Sequence, residues 1–105
     1  MIARLWRGWA RREDAEAYQS HLVPELLPGL SKAKGFLGSH LLRRQVGDEV
    51  EFVTIIFWES LDAVRSLAGP NYQQAVIPEE RRKFLKRFDA EASHYQVVSS
   101  REPAR

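Results

Sequence analysis

Two histidines are the side chains best suited to acid–base chemistry in this chain. An imidazole titrates near neutral pH, so His94 or His40 could remove a proton from a bound substrate. His94 is the first choice. His40 has apolar neighbours in a predicted strand and is also explained as a structural histidine. His21 falls on the polar side of a predicted helix and is expected to be exposed.

Four further residues are candidates for holding a ligand. Trp58 ends an apolar strand, Thr54 lies on the same face, and Tyr72 follows a helix-ending loop where it could close a pocket mouth. Arg7 shares its strand face with apolar residues and could anchor an anionic or phenolate oxygen. The alternatives are a core tryptophan, an arginine in an intersubunit salt bridge, and a tyrosine that only packs.

Several other chemistries are excluded by the residues that the chain lacks. There are no cysteines, which rules out disulfides, thiolate metal sites and cysteine nucleophiles. The three histidines do not have metal-ligand spacing. The sequence also contains no glycine-rich phosphate loop and no Gly-x-Ser-x-Gly motif. The sequence therefore offers no motif for a bound metal or a nucleotide phosphate.

The composition indicates one globular domain with a modest core. The chain has 105 residues, 44% of them hydrophobic, and a net charge of +2. We predict a single domain over residues 1–98 and a polar tail over residues 99–105. The charges are interspersed, which argues against a nucleic-acid surface. No segment resembles a signal peptide or a membrane span, so the prediction is a cytoplasmic protein.

The pattern of apolar residues, glycines and prolines predicts an antiparallel α+β fold. The predicted strands are Ile2–Ala10, Phe36–Val46, Glu49–Trp58 and Ala92–Val98. The predicted helices run from Arg12 to about Leu30 with a kink or break at Pro24, from a cap at Ser60 to Ala68, and from Glu79 to about Phe88. This order is that of a ferredoxin-like βαββαβ sandwich.

The central hairpin has a register that follows from a two-residue loop at Gly47-Asp48. The predicted pairs are Val46–Glu49, Arg44–Glu51, Leu42–Val53, His40–Ile55 and Gly38–Phe57 on one face, and Arg43–Phe52, Leu41–Thr54, Ser39–Ile56 and Leu37–Trp58 on the other. Both faces of the strand Glu49–Trp58 are apolar. The chain's own helices can cover only one of them, so we predict that a second copy covers the other in a homodimer.

Two short motifs resemble those of a known family. Gly35-Phe36-Leu37-Gly38 opens the second strand, and Phe57-Trp58-Glu59-Ser60 joins the third strand to a helix. In these motifs and in its order of elements, the chain resembles the antibiotic biosynthesis monooxygenase family. The resemblance implies a dimeric α+β barrel and an oxygenase that needs no cofactor. It also implies that Trp58 lines the substrate pocket.

The chain departs from the resemblance at three pocket positions. It has Thr54, Val64 and Leu41 where the cofactor-free oxygenases have Asn, Tyr and Tyr. The haem-degrading branch resembles the chain less, because the stretch from Tyr72 to Ile77 contains no histidine for an axial ligand.

These observations leave three functions open. The first is a monooxygenase acting on a small aromatic or quinol-type substrate. The second is a non-catalytic dimer that binds a small hydrophobic ligand. The third is a cyclase or isomerase on the same barrel, since one fold hosts many chemistries.

Overall fold

The computed structural model describes residues 1–75 and 77–101, without the side chains of residues 25–29. Its elements are β1 (Ile2–Arg11), α1 (Arg12–Leu30), β2 (Phe36–Val46), β3 (Glu49–Trp58), α2 (Leu61–Ala68), α3 (Glu79–Arg82), β4 (Leu85–Phe88) and β5 (Ser93–Gln96). The predicted α+β class is confirmed. No helix among these residues is both long enough and apolar enough to cross a bilayer.

All strands form one antiparallel sheet. Its order is β2-β3-β1, and the free edge of β1 is shared by β4 and β5. β4 pairs with Gly8–Ala10, and β5 pairs with Ile2–Leu5. The pair therefore acts as one edge strand that is interrupted between Phe88 and Ser93. This is the ferredoxin-like arrangement that the sequence predicts, with its last strand in two pieces.

The prediction of a helix from Glu79 to Phe88 is wrong in its second half. α3 ends at Arg82, and Leu85–Phe88 is strand β4. The edge of β1 offers unpaired backbone groups, and pairing with them satisfies the backbone of β4. Leu85 and Phe88 are also half-buried while the two residues between them are exposed. Tertiary pairing thus overrides a local pattern that is compatible with a helix.

The predicted hairpin register is confirmed at every pair but one. β2 and β3 pair from Val46–Glu49 to Gly38–Phe57, as the loop implies. The last predicted pair, Leu37 with Trp58, is wrong, because a β-bulge between Phe36 and Gly38 shifts the register. Phe36 therefore pairs with Trp58, and the side chain of Leu37 is exposed. A bulge of this kind cannot be derived from the loop length.

The first helix has the predicted bounds. α1 is one continuous helix from Arg12 to Leu30, so a break at Pro24, one of the two predicted alternatives, is absent. Its positions Ala15, Tyr18 and Leu22 are buried, as their helical spacing predicts. The predicted core position Leu26 lies outside the described side chains. The second helix begins as predicted, since the side chain of Ser60 accepts a hydrogen bond from the backbone N–H of Ala63 at 3.2 Å.

The two faces of the sheet have different surroundings. The helix-covered face packs against the helices, and its buried residues include Ala10, Val50, Phe52, Thr54, Ile56 and Trp58. The opposite face, called the open face here, has no element packed on it among the described residues. Side chains alternate along each strand, so the residues between those of the helix-covered face lie on the open face. They include Leu5, Arg7, Trp9, His40, Leu42, Val53, Ile55 and Phe57.

Gly35 sets how closely α2 approaches the sheet. An added Cβ at Gly35 would lie 2.6 Å from the Cβ of Ala63, and φ is +85°. Gly47, with φ +61°, has nothing within 4 Å. We expect Gly35→Ala to lower the free energy of unfolding by about 1–3 kcal/mol more than Gly47→Ala, because only the former adds a steric clash.

Urea denaturation measures this difference. Ala63→Gly, added to Gly35→Ala, should recover most of the extra loss by removing the clashing methyl group. Equal losses in Gly35→Ala and Gly47→Ala would mean that α2 moves away freely.

Candidate functional site

A cavity of about 280 Å³ lies between the helix-covered face of the sheet and the helices. The described residues that line it come from both layers: Arg4, Trp6, Tyr18, Leu22, Thr54, Ile56, Leu67, Ala75, Ile77 and Arg81. The lining is mostly apolar, with two guanidinium groups and a few neutral polar groups. Its volume is close to the lower end of ligand-binding pockets in general, which suits a ligand of one or two rings.

The guanidinium group of Arg4 is held by neutral acceptors. One of its terminal nitrogens donates to the backbone carbonyl of Tyr72 at 2.5 Å and lies 2.9 Å from Nε2 of His94. A guanidinium group can only donate, so Nε2 accepts and Nδ1 carries the ring proton. Burial lowers the pKa of Arg4, and no described carboxylate forms an ion pair with it. Arg4 is thus fixed in position without its charge being neutralised.

Arg81 brings a second positive charge to the same cavity. Its Nε is buried and has no hydrogen-bond partner among the described residues. Burial raises the pKa of the Tyr18 phenol to about 12, although the positive charge of Arg81 acts in the opposite direction. Tyr18 is therefore a neutral hydroxyl at physiological pH, and it lies within the electrostatic reach of Arg81.

Trp6 and Thr54 form the wall that β1 and β3 contribute. These two residues pair with each other across the two strands. The indole N–H of Trp6 donates to the backbone carbonyl of Asp89 at 2.7 Å, so its polar group is engaged outside the cavity. Trp6 therefore offers the cavity an aromatic surface, and Thr54 offers a hydroxyl.

Thr54 and Trp58 are the predicted ligand-binding residues on β3, and the structure separates them. Thr54 lines the cavity. Trp58 is only 1% exposed and packs with Ile56, Val64 and the edge of the Phe36 ring, whose centroid is 6.0 Å away. Its indole N–H is buried with no hydrogen-bond partner among the described residues. Trp58 thus lies in the core beside the cavity lining.

His94 and Tyr72 lie next to the cavity and contact it through Arg4. The ring of His94 stands edge-on to that of Tyr72, with centroids 5.0 Å apart. Burial, and to a smaller extent the charge of Arg4, lower the pKa of His94, so the ring is neutral at pH 7. Its acceptor nitrogen is engaged by Arg4. In this arrangement both residues orient Arg4, and neither is among the described lining residues.

Arg7 and His40 lie on the open face, away from the cavity. Arg7 pairs with Val53 and His40 pairs with Ile55, and both partners point away from the helices. Arg7 forms an ion pair with Asp89 at 2.8 Å. The placement of Arg7 at one end of the pocket is therefore corrected, because side-chain alternation puts Arg4 and Arg7 on opposite faces of β1.

Sequence reasoning did not single out Arg4 and Arg81 as cavity residues, and it assigned Tyr18 only to the buried side of α1. Arg4 could have been found, since it lies on the same face of β1 as Ile2 and Trp6. Tyr18 is buried by its helical spacing, which the sequence did indicate. The sequence did not indicate that Arg81 lines a cavity, because it lies in a run of charged residues that is typical of a solvated surface. No group of three or more His, Asp or Glu side chains among the described residues is placed to hold a metal ion.

The fold is similar to that of several solved structures. A candidate antibiotic biosynthesis monooxygenase from Bacillus cereus superposes with a TM-score of 0.73 at 18% identity, covering 100% of this chain and 98% of that one. A variant of SnoaB, a cofactor-independent oxygenase from Streptomyces nogalater, gives 0.66 at 22% identity over 94% of both chains. The haem degrader MhuD from Mycobacterium tuberculosis gives 0.64 at 18% identity over 97% and 100%.

At these identities the structural likeness establishes the fold alone. No curated protein sequence matches the chain. The family model for antibiotic biosynthesis monooxygenases, by contrast, matches residues 1–76, which is more than half of the sequence. The chain therefore belongs to the antibiotic biosynthesis monooxygenase family.

Proposed function

We propose that this protein is a cofactor-independent monooxygenase that acts on a small aromatic or quinol-type substrate bound in the cavity beside Arg4 and Thr54. The cavity carries the proposal, because it joins an apolar, partly aromatic lining to fixed positive charge. Family membership supports oxygenase chemistry, and SnoaB is a cofactor-independent oxygenase of the same fold.

The cavity can assist such a reaction through its charge. A cofactor-free oxygenase requires a substrate that loses a proton and then passes an electron to dioxygen. Arg4 and Arg81 would favour the deprotonated substrate, because opposite charges nearby stabilise an anion in a poorly solvated site. Thr54 can hydrogen-bond the same oxygen. Trp6 and the aliphatic residues exclude water from the reacting ring.

A non-catalytic ligand-binding protein is the second candidate. No carboxylate or histidine is among the described residues that line the cavity. Tyr18, with a pKa of about 12, is a poor base at neutral pH. An oxygenase in this cavity therefore depends on a substrate that ionises readily, whereas a binding protein does not.

The proposed active form is a homodimer joined through the open face. Leu42, Val46 and Tyr95 expose large apolar surfaces there. Trp9 lies between the guanidinium groups of Arg7 and Arg87, which are 5.2 and 4.1 Å from its ring centroid. Such a face, apolar at the centre with charges beside it, suits a partner surface of the same composition.

Oxygen consumption with a panel of quinols and anthrones tests the proposed reaction. We expect turnover without added metal or flavin. Leu67→Trp should lower kcat/KM by roughly 10-fold or more, because a larger side chain at the exposed rim fills the cavity and displaces the substrate.

Val98→Trp is the matched control, since Val98 is exposed and is not among the residues that line the cavity. Equal turnover in Leu67→Trp and Val98→Trp would show that the reaction does not take place in this cavity. Binding without oxygen uptake would favour the non-catalytic candidate. Conversion of substrate without oxygen uptake would favour a cyclase or isomerase.

A further inference from the structure

Several arginines outside the cavity are paired with carboxylates, and Arg12 and Arg82, which form no ion pair among the described residues, are exposed to solvent. Arg7 pairs with Asp89, Arg43 with Glu16, Arg44 with Glu51, Arg65 with Asp62, and Arg87 with Glu49. The chain thus has acidic partners available and uses them for arginines outside the cavity.

The two arginines of the cavity are the opposite case. None of the ion pairs among the described residues involves Arg4 or Arg81. Arg4 is bound only by a carbonyl oxygen and an imidazole nitrogen, and the Nε of Arg81 is buried without a partner in the described part of the chain. A partly buried charge without a counter-charge is costly, so proteins rarely retain one without a use for it.

We propose that the ligand of this cavity is an aromatic carboxylate whose carboxylate group is held by Arg4 and Arg81. This inference rests on the proposed function only in using the same cavity, and it adds a fixed negative charge to the substrate. The ligand supplies the counter-charge that is absent among the described residues. A carboxylate accepts from guanidinium groups in charge-assisted hydrogen bonds, which are about twice as strong as neutral ones.

The other lining residues determine the shape and polarity of the part of the ligand that does not carry the charge. Trp6 presents a ring surface, and Leu22, Ile56 and Ile77 are aliphatic, so the body of the ligand must be apolar and flat enough for a small cavity.

The test compares two ligands of the same shape that differ in charge. Isothermal titration calorimetry with 2-naphthoate and 2-naphthamide should show about 10-fold or more tighter binding of the acid to the wild type. Arg81→Gln and Arg4→Gln should each remove most of this preference, because they weaken binding of the charged acid much more than binding of the neutral amide. Arg82→Gln, next to Arg81 but exposed, should leave both affinities unchanged.

Thermal melting identifies any variant that fails to fold. Arg81→Gln is the safer of the two, because Arg4 also joins β1 to Tyr72 and His94. Equal affinities for acid and amide, no binding of either, or an equal loss in Arg82→Gln would each overturn the inference.

The same data separate this inference from the proposed reaction. Selective binding of naphthoate, with no oxygen uptake for any substrate in the panel, would support the anionic ligand and refute the oxygenase proposal. Turnover of neutral quinols together with equal binding of acid and amide would support the oxygenase and refute the anionic ligand.

Discussion

Trp58→Ala is expected to lower the free energy of unfolding by about 3–5 kcal/mol, which is a large part of the stability of a domain of this size. Trp58 is 1% exposed and packs between the sheet, α2 and the ring of Phe36. Removing the indole leaves a cavity that the surrounding strands cannot close. Urea denaturation followed by circular dichroism measures the loss.

Trp58→Phe is the matched variant, since it keeps a ring and removes the unpartnered indole N–H. It should lose clearly less stability than Trp58→Ala. If Trp58→Ala kept wild-type stability and instead lost naphthoate binding, Trp58 would be a pocket wall. The cavity would then extend further along β3 than Ile56.

The protein is expected to be a homodimer in solution, and Leu42→Lys is expected to dissociate it. Light scattering at micromolar concentration should give about twice the 12.1 kDa chain mass for the wild type. Leu42 is 48% exposed on the open face. Because a symmetric interface would bury two unpaired ammonium groups there, the dissociation constant should rise by about 10²-fold or more.

Val23→Lys is the control for added charge. Val23 is 40% exposed on α1, on the other side of the sheet, and its substitution should leave the dimer intact. A monomeric wild type would refute the homodimer. Dissociation by Val23→Lys to the same extent would place the contact elsewhere than on the open face.

Local patterns were sufficient for most of the fold. The two-residue loop at Gly47-Asp48 predicted the hairpin register from Val46 to Gly38, because a loop of this length allows few registers. Ser60 predicted the start of α2 through its hydrogen bond to the helix. These features are decided within a few residues of the chain, and a sequence can specify them directly.

The bulge at Leu37 and the strand Leu85–Phe88 depended on contacts far away in the chain. Leu85–Phe88 becomes a strand only because β1 presents a free edge to it. That edge is more than 70 residues earlier in the sequence, and nothing in the local composition reveals it. A pairing between strands so far apart in the sequence cannot be predicted from the local residue pattern.

The candidate site shows the same division. The sequence by itself determined the family motifs, the strands of the central hairpin, the absence of cysteine chemistry and the candidate pocket residue Thr54. Only the tertiary structure placed Arg4 and Arg81 in one cavity, engaged His94 with Arg4, and left Arg7 and His40 on the open face. Residue type and strand alternation are local properties, whereas burial and the lack of a counter-charge depend on which distant elements pack together.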